Sequence, residues 1–326
     1  MIKKIAILTS GGDSPGMNNA IRAIIKTARL YDIETYLVYE GFLGLYNGWI
    51  KPSEGIDEDS YINKGGTFIF SARFVEFAQE KYRQVAKENL LKLGIEALVV
   101  IGGDGSYKGA QKLHEMGIKT IALPGTIDND ITSSDFTIGY DTALNTIVEA
   151  VDKIRDTASS HKRCIMVEVM GHGASDLALY SGMATGSEII VSNDYKLSVE
   201  EMAKIVKKQF EKPNKRSVII TVSEFVFKDL QQVAKQIEEL TNITTKAVVL
   251  AHIQRGGYPS ARERINATIL GKHAVLRLKQ GQSGIALGLI KNQVAATPIL
   301  EALAMPQTRK DLLERRTKSY NDINQA

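Results

Sequence analysis

Short apolar runs rich in β-branched residues recur along the chain, at 5–8, 35–39, 97–101, 120–123, 164–169, 188–191, 218–222, 247–250 and 285–290. Most are continuous rather than alternating, which predicts strands buried on both faces. Helical patterns lie between most of them. The clearest spans 142–160, where Leu144, Ile147, Val148, Val151 and Ile154 fall on one face at three- and four-residue steps. Strand alternating with helix predicts an α/β protein: two three-layer domains with mainly parallel sheets covered by helices on both sides. No internal repeat, low-complexity tract or Pro/Ser-rich linker marks the boundary between them.

Composition narrows the class. At 326 residues the chain is long enough for two domains and a large core, and its only cysteine, Cys164, excludes an intrachain disulfide framework. Cys164 opens an apolar run and reads as a small buried hydrophobe. The opening M-I-K-K-I-A-I-L-T-S-G-G turns glycine-rich too early for a signal peptide, and no apolar run approaches a membrane span, so a cytoplasmic protein with no membrane partner is expected. The formal charge of +4 is dispersed, without the basic block expected of a nucleic-acid binder.

Three predicted strands end in glycine-rich turns. The first, L-T-S-G-G-D-S-P-G-M-N-N, leads through Gly11, Gly12 and Gly16 into a helix expected near Met17. Glycines there let a backbone approach a ligand, and a helix N-terminus favours an anion; a ligand-free tight turn reads equally well. The spacing fits neither a phosphate-loop Lys-Ser/Thr motif nor the dinucleotide fingerprint. The second, V-V-I-G-G-D-G-S, places Asp104 among Gly102, Gly103 and Gly105. A carboxylate inside a phosphate cradle implies a cation, Mg²⁺ held by Asp104 and phosphate oxygens; alternatively Asp104 caps the helix expected after Gly105. The third, A-L-P-G-T-I-D-N-D, carries Asp128 and Asp130, either turn punctuation or a base and its helper.

Taken in order, S-G-G-D-S-P-G-M-N, N-K-G-G-T at 63, S-A-R-F at 71, G-G-D-G-S at 102, P-G-T-I-D-N-D at 124 and H-I-Q-R-G-G at 252 form a specific set. The sequence resembles the bacterial ATP-dependent 6-phosphofructokinases over nearly its whole length. The resemblance implies transfer of the γ-phosphoryl of Mg-ATP to the 1-hydroxyl of fructose 6-phosphate, in a cleft between domains of 1–139 plus 254–304 and 140–253 plus 305–326. It makes Asp128 the base, with Thr126, Asp130 and Arg73 assisting, and gives ATP and Mg²⁺ to Gly12, Arg73, Phe74, Gly103, Asp104, Gly105 and Ser106. Gly105 and Gly125 favour ATP over pyrophosphate, because pyrophosphate-using members tend to be bulkier there, and Gly125 would leave room for the nucleotide's phosphates. On the sugar side, Met170, Gly171 and Glu224 match residues at the fructose ring, while Arg163, His252 and Arg255 match binders of its 6-phosphate. The family's homotetramer further implies that Arg163 reaches across a subunit interface.

Two active-site positions depart from the family pattern. His172 and Lys246 stand where arginines are usual, so a weakened affinity for fructose 6-phosphate is expected, since neither reproduces a bidentate guanidinium. An effector site for ADP or phosphoenolpyruvate is implied by Arg22, Lys26, Arg155, Gly186, Glu188, Lys215 and Arg216. Gly55, Pro213 and Ser217 replace basic residues there, so effector binding is expected to be weak or altered; the charged run 204–216 otherwise reads as a solvated helix face and loop. The rival to a kinase is a low-activity paralogue that binds nucleotide and sugar phosphate as a sensor or regulatory subunit. The tail T-R-K-D-L-L-E-R-R-T-K-S-Y reads as a docked helix or a frayed end.

Overall fold

The computed structural model describes residues 2–306 and 309–325. In chain order the elements are β1 (Lys4–Ser10), α1 (Met17–Leu30), β2 (Glu34–Val38), α2 (Gly41–Asn47), β3 (Ile50–Pro52), α3 (Glu80–Lys92), β4 (Ala97–Gly102), α4 (Asp104–Glu115), β5 (Lys119–Thr126), β6 (Ile138–Gly139), α5 (Tyr140–His161) and β7 (Arg163–Val169). There follow α6 (Asp176–Thr185), β8 (Ile189–Val191), α7 (Val199–Glu211), β9 (Ser217–Ser223), α8 (Leu230–Thr241), β10 (Thr245–Val249), α9 (Ala261–Lys279), β11 (Ile285–Ile290), β12 (Gln293–Pro298), α10 (Ile299–Ala304) and α11 (Lys310–Gln325). The chain divides into two compact units, Met1–Ile127 with Ile131–Thr142 and Arg255–Pro306, and Asp128–Asp130 with Ala143–Gln254 and Gln307–Ala326.

Unit 1 is built on a sheet in the order β12-β11-β5-β4-β1-β2-β3, with β6 joined to β5; only the edge strands β3 and β12 run antiparallel. Its continuous apolar runs have a direct cause. Ile5 and Ile7 enter one core with α1 and α9, while Ala6 and Leu8 enter the other with α2, α3 and α4; Val99 and Ile101 split from Leu98 and Val100 in the same way. From β1 the chain moves to β2 on one side, and from β4 to β5 on the other. The order therefore reverses between β1 and β4, and their carboxyl ends frame a crevice of the kind that takes ligands in open α/β sheets.

Unit 2 carries a four-stranded, all-parallel sheet, β10-β7-β9-β8. Cys164, Met166, Val218 and Ile220 pack on α7 and α8, and burial pushes the Cys164 thiol pKa far up, as an inert core residue requires. The tail is docked rather than frayed: Leu313 packs on Leu179 and Ile190, and the Asn321 side chain bonds the backbone N–H and carbonyl of Ile190 at 2.7 and 2.9 Å.

Three strands lack the signal read from the sequence. β3 is a largely exposed edge ending in Pro52, β6 has two residues, and β12 is a half-exposed edge without a buried face. The helix expected at 142–160 begins earlier, at Tyr140.

Candidate functional site

Unit 1 gathers the glycine loops. The Ser106 hydroxyl donates to the Ser10 carbonyl at 3.1 Å, tying the start of α4 to the end of β1. The segment after Ile62 is stapled over the same edge. Asn18 donates to the carbonyls of Lys64 and Gly65 at 3.0 and 3.3 Å and accepts from the Phe68 N–H at 2.9 Å, and the Ser71 hydroxyl donates to the Gly11 carbonyl at 2.7 Å. This places N-K-G-G-T and S-A-R-F beside S-G-G-D-S-P-G, with Arg73 exposed and the Phe74 ring among Tyr46, Tyr82 and Phe77. Asn18 was not singled out in the sequence; its position directly after a glycine loop, on the first helical turn, was the available signal.

The glycines of G-G-D-G serve different ends. A side chain at Gly102 would strike Ser106 Oγ at 2.3 Å and the Ser10 carbonyl at 2.4 Å, so packing demands glycine there, whereas at Gly103 and Gly105 a Cβ would meet no atom within 4 Å. Open space over two glycines at a helix N-terminus is what a phosphate needs. Asp104 does not cap a later helix: α4 starts at Asp104, Gly103 is its N-cap, and no side chain bonds that cap. The carboxylate therefore stands on the first turn beside the open cradle, a position that suits one protein ligand of Mg²⁺ with phosphate oxygens supplying others. Among the described residues no group of three or more His, Cys, Asp or Glu could cage a metal unaided.

Gly125 corrects the reading that it leaves room for phosphates. A Cβ there would lie 2.9 Å from both Ile101 Cγ2 and Met17 Cε, so its glycine is accounted for by core packing. Arg255 also lies in unit 1, its guanidinium laid against Gly12, where a Cβ would come within 2.5 Å of Nη1, and donating to the Asp13 carbonyl at 3.3 Å. Buried Thr126 accepts at its carbonyl from the Thr137 hydroxyl at 2.7 Å.

Unit 2 gathers the acids of the third turn. Asp128 and Asn129 are buried, and Asn129, at φ 55°, takes the left-handed conformation that asparagine tolerates. The left-handed position of the turn thus falls to the asparagine rather than to either acid. His172 Nδ1 lies 3.9 Å from Asp130 Oδ2. The N–H groups of Gly171 and His172 donate to Glu224 Oε1 at 3.0 and 2.6 Å, and that of Met170 donates to Gln254 Oε1 at 3.1 Å. Asp128, Asp130, Met170, Gly171, His172 and Glu224 accordingly share one end of the unit 2 sheet, with exposed His252 following β10. Half-buried Glu168 joins them, its pKa raised by burial and then by Glu224.

Arg163 and Lys246 are not brought to that end. They stand at the starts of β7 and β10, Lys246 paired with Glu238 at 3.3 Å. The length of β7, about 20 Å at 3.3 Å per residue, separates Arg163 from the Met170 turn. The effector candidates form two groups. In unit 1, Arg22 and Lys26 each lie 2.5 Å from Asp59, a partner the sequence did not single out. In unit 2, buried Glu188 accepts from Lys215, from Arg155 at 3.3 Å and from the Ile219 N–H at 2.7 Å. Arg155 also bonds the Gly186 carbonyl at 3.1 Å, and Arg216 bonds that of Ser159 at 2.9 Å. The run 204–216 is a helix face and loop in which Lys215 is committed to Glu188.

Comparison with known proteins gives the family. Residues 4–278 match the family model described as phosphofructokinase. Over 326 residues the chain is 58% identical to the ATP-dependent 6-phosphofructokinase of Mycoplasma mobile, covering 100% of each chain. It is 49% identical to the enzyme of that name from Spiroplasma citri, covering 100% of this chain and 98% of the other. Among solved structures, phosphofructokinase from Saccharomyces cerevisiae aligns with TM-score 0.87 and 32% identity over 99% of this chain, which spans 48% of the longer yeast chain. A pyrophosphate-dependent phosphofructokinase from Marinobacter aquaeolei shares the fold at TM-score 0.83, with 20% identity over 97% of this chain and 92% of that one. No helix among the described residues is long and apolar enough to cross a membrane. With its glycine loops at the β1/β4 reversal and its acids on the turn after β5, the chain belongs to the phosphofructokinase family.

Proposed function

We propose that the protein transfers the γ-phosphoryl group of ATP to the 1-hydroxyl of fructose 6-phosphate, giving ADP and fructose 1,6-bisphosphate. The observation that carries this reading is the full-length, 58% identity to an enzyme named for that activity. The same likeness supports a working kinase over a sensor, as does the presence of Asp104, Arg73 and Asp128.

Asp128 accepts the proton of the 1-hydroxyl as its oxygen bonds to the γ-phosphorus and the bridge to the β-phosphate breaks. Thr126 and Asp130 flank it. Arg73 supplies several donors to the equatorial oxygens, where charge spreads in a loose transition state. The N–H groups around Gly12, Gly103, Gly105 and Ser106 hold the phosphates of ATP, with Phe74 beside the nucleotide. Mg²⁺, which Asp104 would hold, neutralises phosphate charge when bound. Met170, Gly171, His172 and Glu224 orient the sugar, and His252 and Arg255 take its 6-phosphate.

Arg163 and Lys246, remote from the Met170 turn in their own chain, serve the sugar phosphate of a neighbouring copy in a homotetramer. Replacing both departures with arginine (His172→Arg, Lys246→Arg) is expected to lower the KM for fructose 6-phosphate severalfold; unchanged KM and turnover would contradict this. The Glu188 and Asp59 groups would bind ADP or phosphoenolpyruvate weakly, because their cations are already paired.

The choice of ATP over pyrophosphate rests on Gly105 rather than on Gly125. Gly105→Ala is expected to leave the melting temperature unchanged and raise the KM for ATP at least tenfold. Gly125→Ala should instead cost about 1–3 kcal/mol of stability through overpacking. Equal melting losses in the two variants would contradict the assignment. A coupled ADP-release assay across sugar phosphates tests the acceptor: fructose 6-phosphate should be preferred, and a better alternative sugar would overturn the reading.

A further inference from the structure

Asn129, between the two acids of the third turn, does more than supply an unusual dihedral. Its side-chain amide is buried and donates to Oδ1 of Asp176 at 3.0 Å. Asp176 is the first residue of α6, 4% exposed, and burial raises its carboxyl pKa while Asn129 and then Arg309 pull it back. A buried carboxylate is costly unless it is hydrogen-bonded and paired. Both conditions are met here by residues far apart in sequence: Asn129 supplies the hydrogen bond, and Arg309 Nη1 lies 3.6 Å from the same Oδ1.

Arg309 arrives there because the tail is fixed. It directly precedes α11, whose Leu313 packs on Leu179 of α6 and on Ile190 of β8, and whose Asn321 closes two hydrogen bonds to the Ile190 backbone. The route from tail to turn is therefore continuous: α11 on α6 and β8, Arg309 on Asp176, Asp176 on Asn129, and Asn129 covalently beside Asp128. Neighbouring Asp194, which accepts from the Ser175 hydroxyl at 2.6 Å, adds a second negative charge at this helix start and increases the need for the arginine.

We propose that Asp176 is the positioning residue of the base-bearing turn, and that the C-terminal segment completes it by placing Arg309 against Asp176. This rests on the reading of Asp128 as the base. The bond from Asn129 fixes the left-handed residue between the two acids, so its loss lets the carboxylate of Asp128 drift relative to the acceptor hydroxyl. A misplacement of about 1 Å costs about 10²-fold in rate. Nucleotide binding belongs to other residues and is untouched.

The test is steady-state kinetics of the full-length chain with Mg-ATP and fructose 6-phosphate, alongside thermal melting, for Asn129→Ala, Asp176→Ala, Asp176→Asn, Arg309→Gln, Arg309→Lys and Asp128→Ser. Asp176→Ala and Asn129→Ala should each lower kcat about 10²-fold with the KM for ATP unchanged, and the double variant should be no worse than either single one. Asp176→Asn, which keeps an acceptor oxygen, should recover to within about tenfold of the parent. Arg309→Gln should lose about tenfold in kcat, with Arg309→Lys recovering most of it. Should Asp176→Ala fail to fold, the Asn129 and Arg309 variants decide alone. Multiplying losses in the double variant, or a lowered melting temperature with kcat per folded molecule intact, would overturn the proposal. An inactive Asp128→Ser beside fully active Asn129 and Arg309 variants defeats this inference alone, whereas an active Asp128→Ser defeats the base assignment itself.

Discussion

Asp128→Ser is expected to lower kcat by about 10²–10⁴-fold, the range that general base catalysis contributes, while the KM for ATP stays within a factor of two or three. Serine is chosen because it is smaller and polar, so the buried turn is neither overpacked nor stripped of every acceptor. Asp128 is 6% exposed and its neighbour Asn129 is anchored independently, so the substitution should leave the turn in place. The glycine loops at the ends of β1 and β4 are held by bonds of their own, Ser106 to Ser10 and Ser71 to Gly11. Loss of turnover without loss of nucleotide affinity is thus the signature of a base. A proportionate rise in the KM for ATP would show that the residue acts in binding.

A second large effect concerns pH and Glu263. This carboxyl is 1% exposed on the first turn of α9, where it accepts the Thr142 N–H and hydroxyl, each at 3.3 Å, with Gly16 giving up a side chain to make room. Its pKa is pushed up to about 7, first by burial and further by Asp141, against the pull of the Gly139 and Thr142 amides. In the unfolded chain it returns to the ordinary glutamate value near 4.3. The folded state therefore holds a proton that the unfolded state has released, between the two values. Stability from this group is complete below the lower value, declines as pH rises through the window, and levels off above about 7, with a total of roughly 4 kcal/mol. Glu263→Gln carries no such proton. Melting curves of the two proteins should converge near pH 4 and separate by pH 7.5, with the glutamine variant the higher; burial of Glu168 and Asp176 contributes a slope of the same sign to both and cancels in the comparison. Parallel curves across the range would refute this account.

Much of the scaffold could be read before any coordinates because the strands that build it are buried on both faces. A run such as Ala97–Ile101 feeds alternate side chains into two cores, so it has no polar positions and stands out against the helices around it. The antiparallel edge strands of unit 1 give no such signal: β12 is exposed or half-exposed along its length and carries two alanines, and β3 ends in a proline. The site divides along a similar line. Gly103, Asp104, Gly105 and Ser106 stand out in the sequence because they lie together in one short loop, although only the structure separates the open glycines, Gly103 and Gly105, from those that packing requires, Gly102 and Gly125. Asp176 was illegible, since its partner lies 47 residues earlier and nothing in G-A-S-D-L announces a carboxylate bonded to the turn at Asn129. Arg163 matches a family position and Lys246 stands where an arginine is usual, yet both lie at the other end of β7 and β10 from Met170, a separation that only the sheet reveals.

The most direct test of phosphoryl transfer to the sugar is ³¹P nuclear magnetic resonance of purified protein with Mg-ATP and fructose 6-phosphate. ADP and a second sugar phosphomonoester at carbon 1 should grow in equal amounts, and both should form about 10²–10⁴-fold more slowly with Asp128→Ser. Release of ADP and inorganic phosphate with no new sugar phosphate, or equal product from the serine variant, would contradict the account.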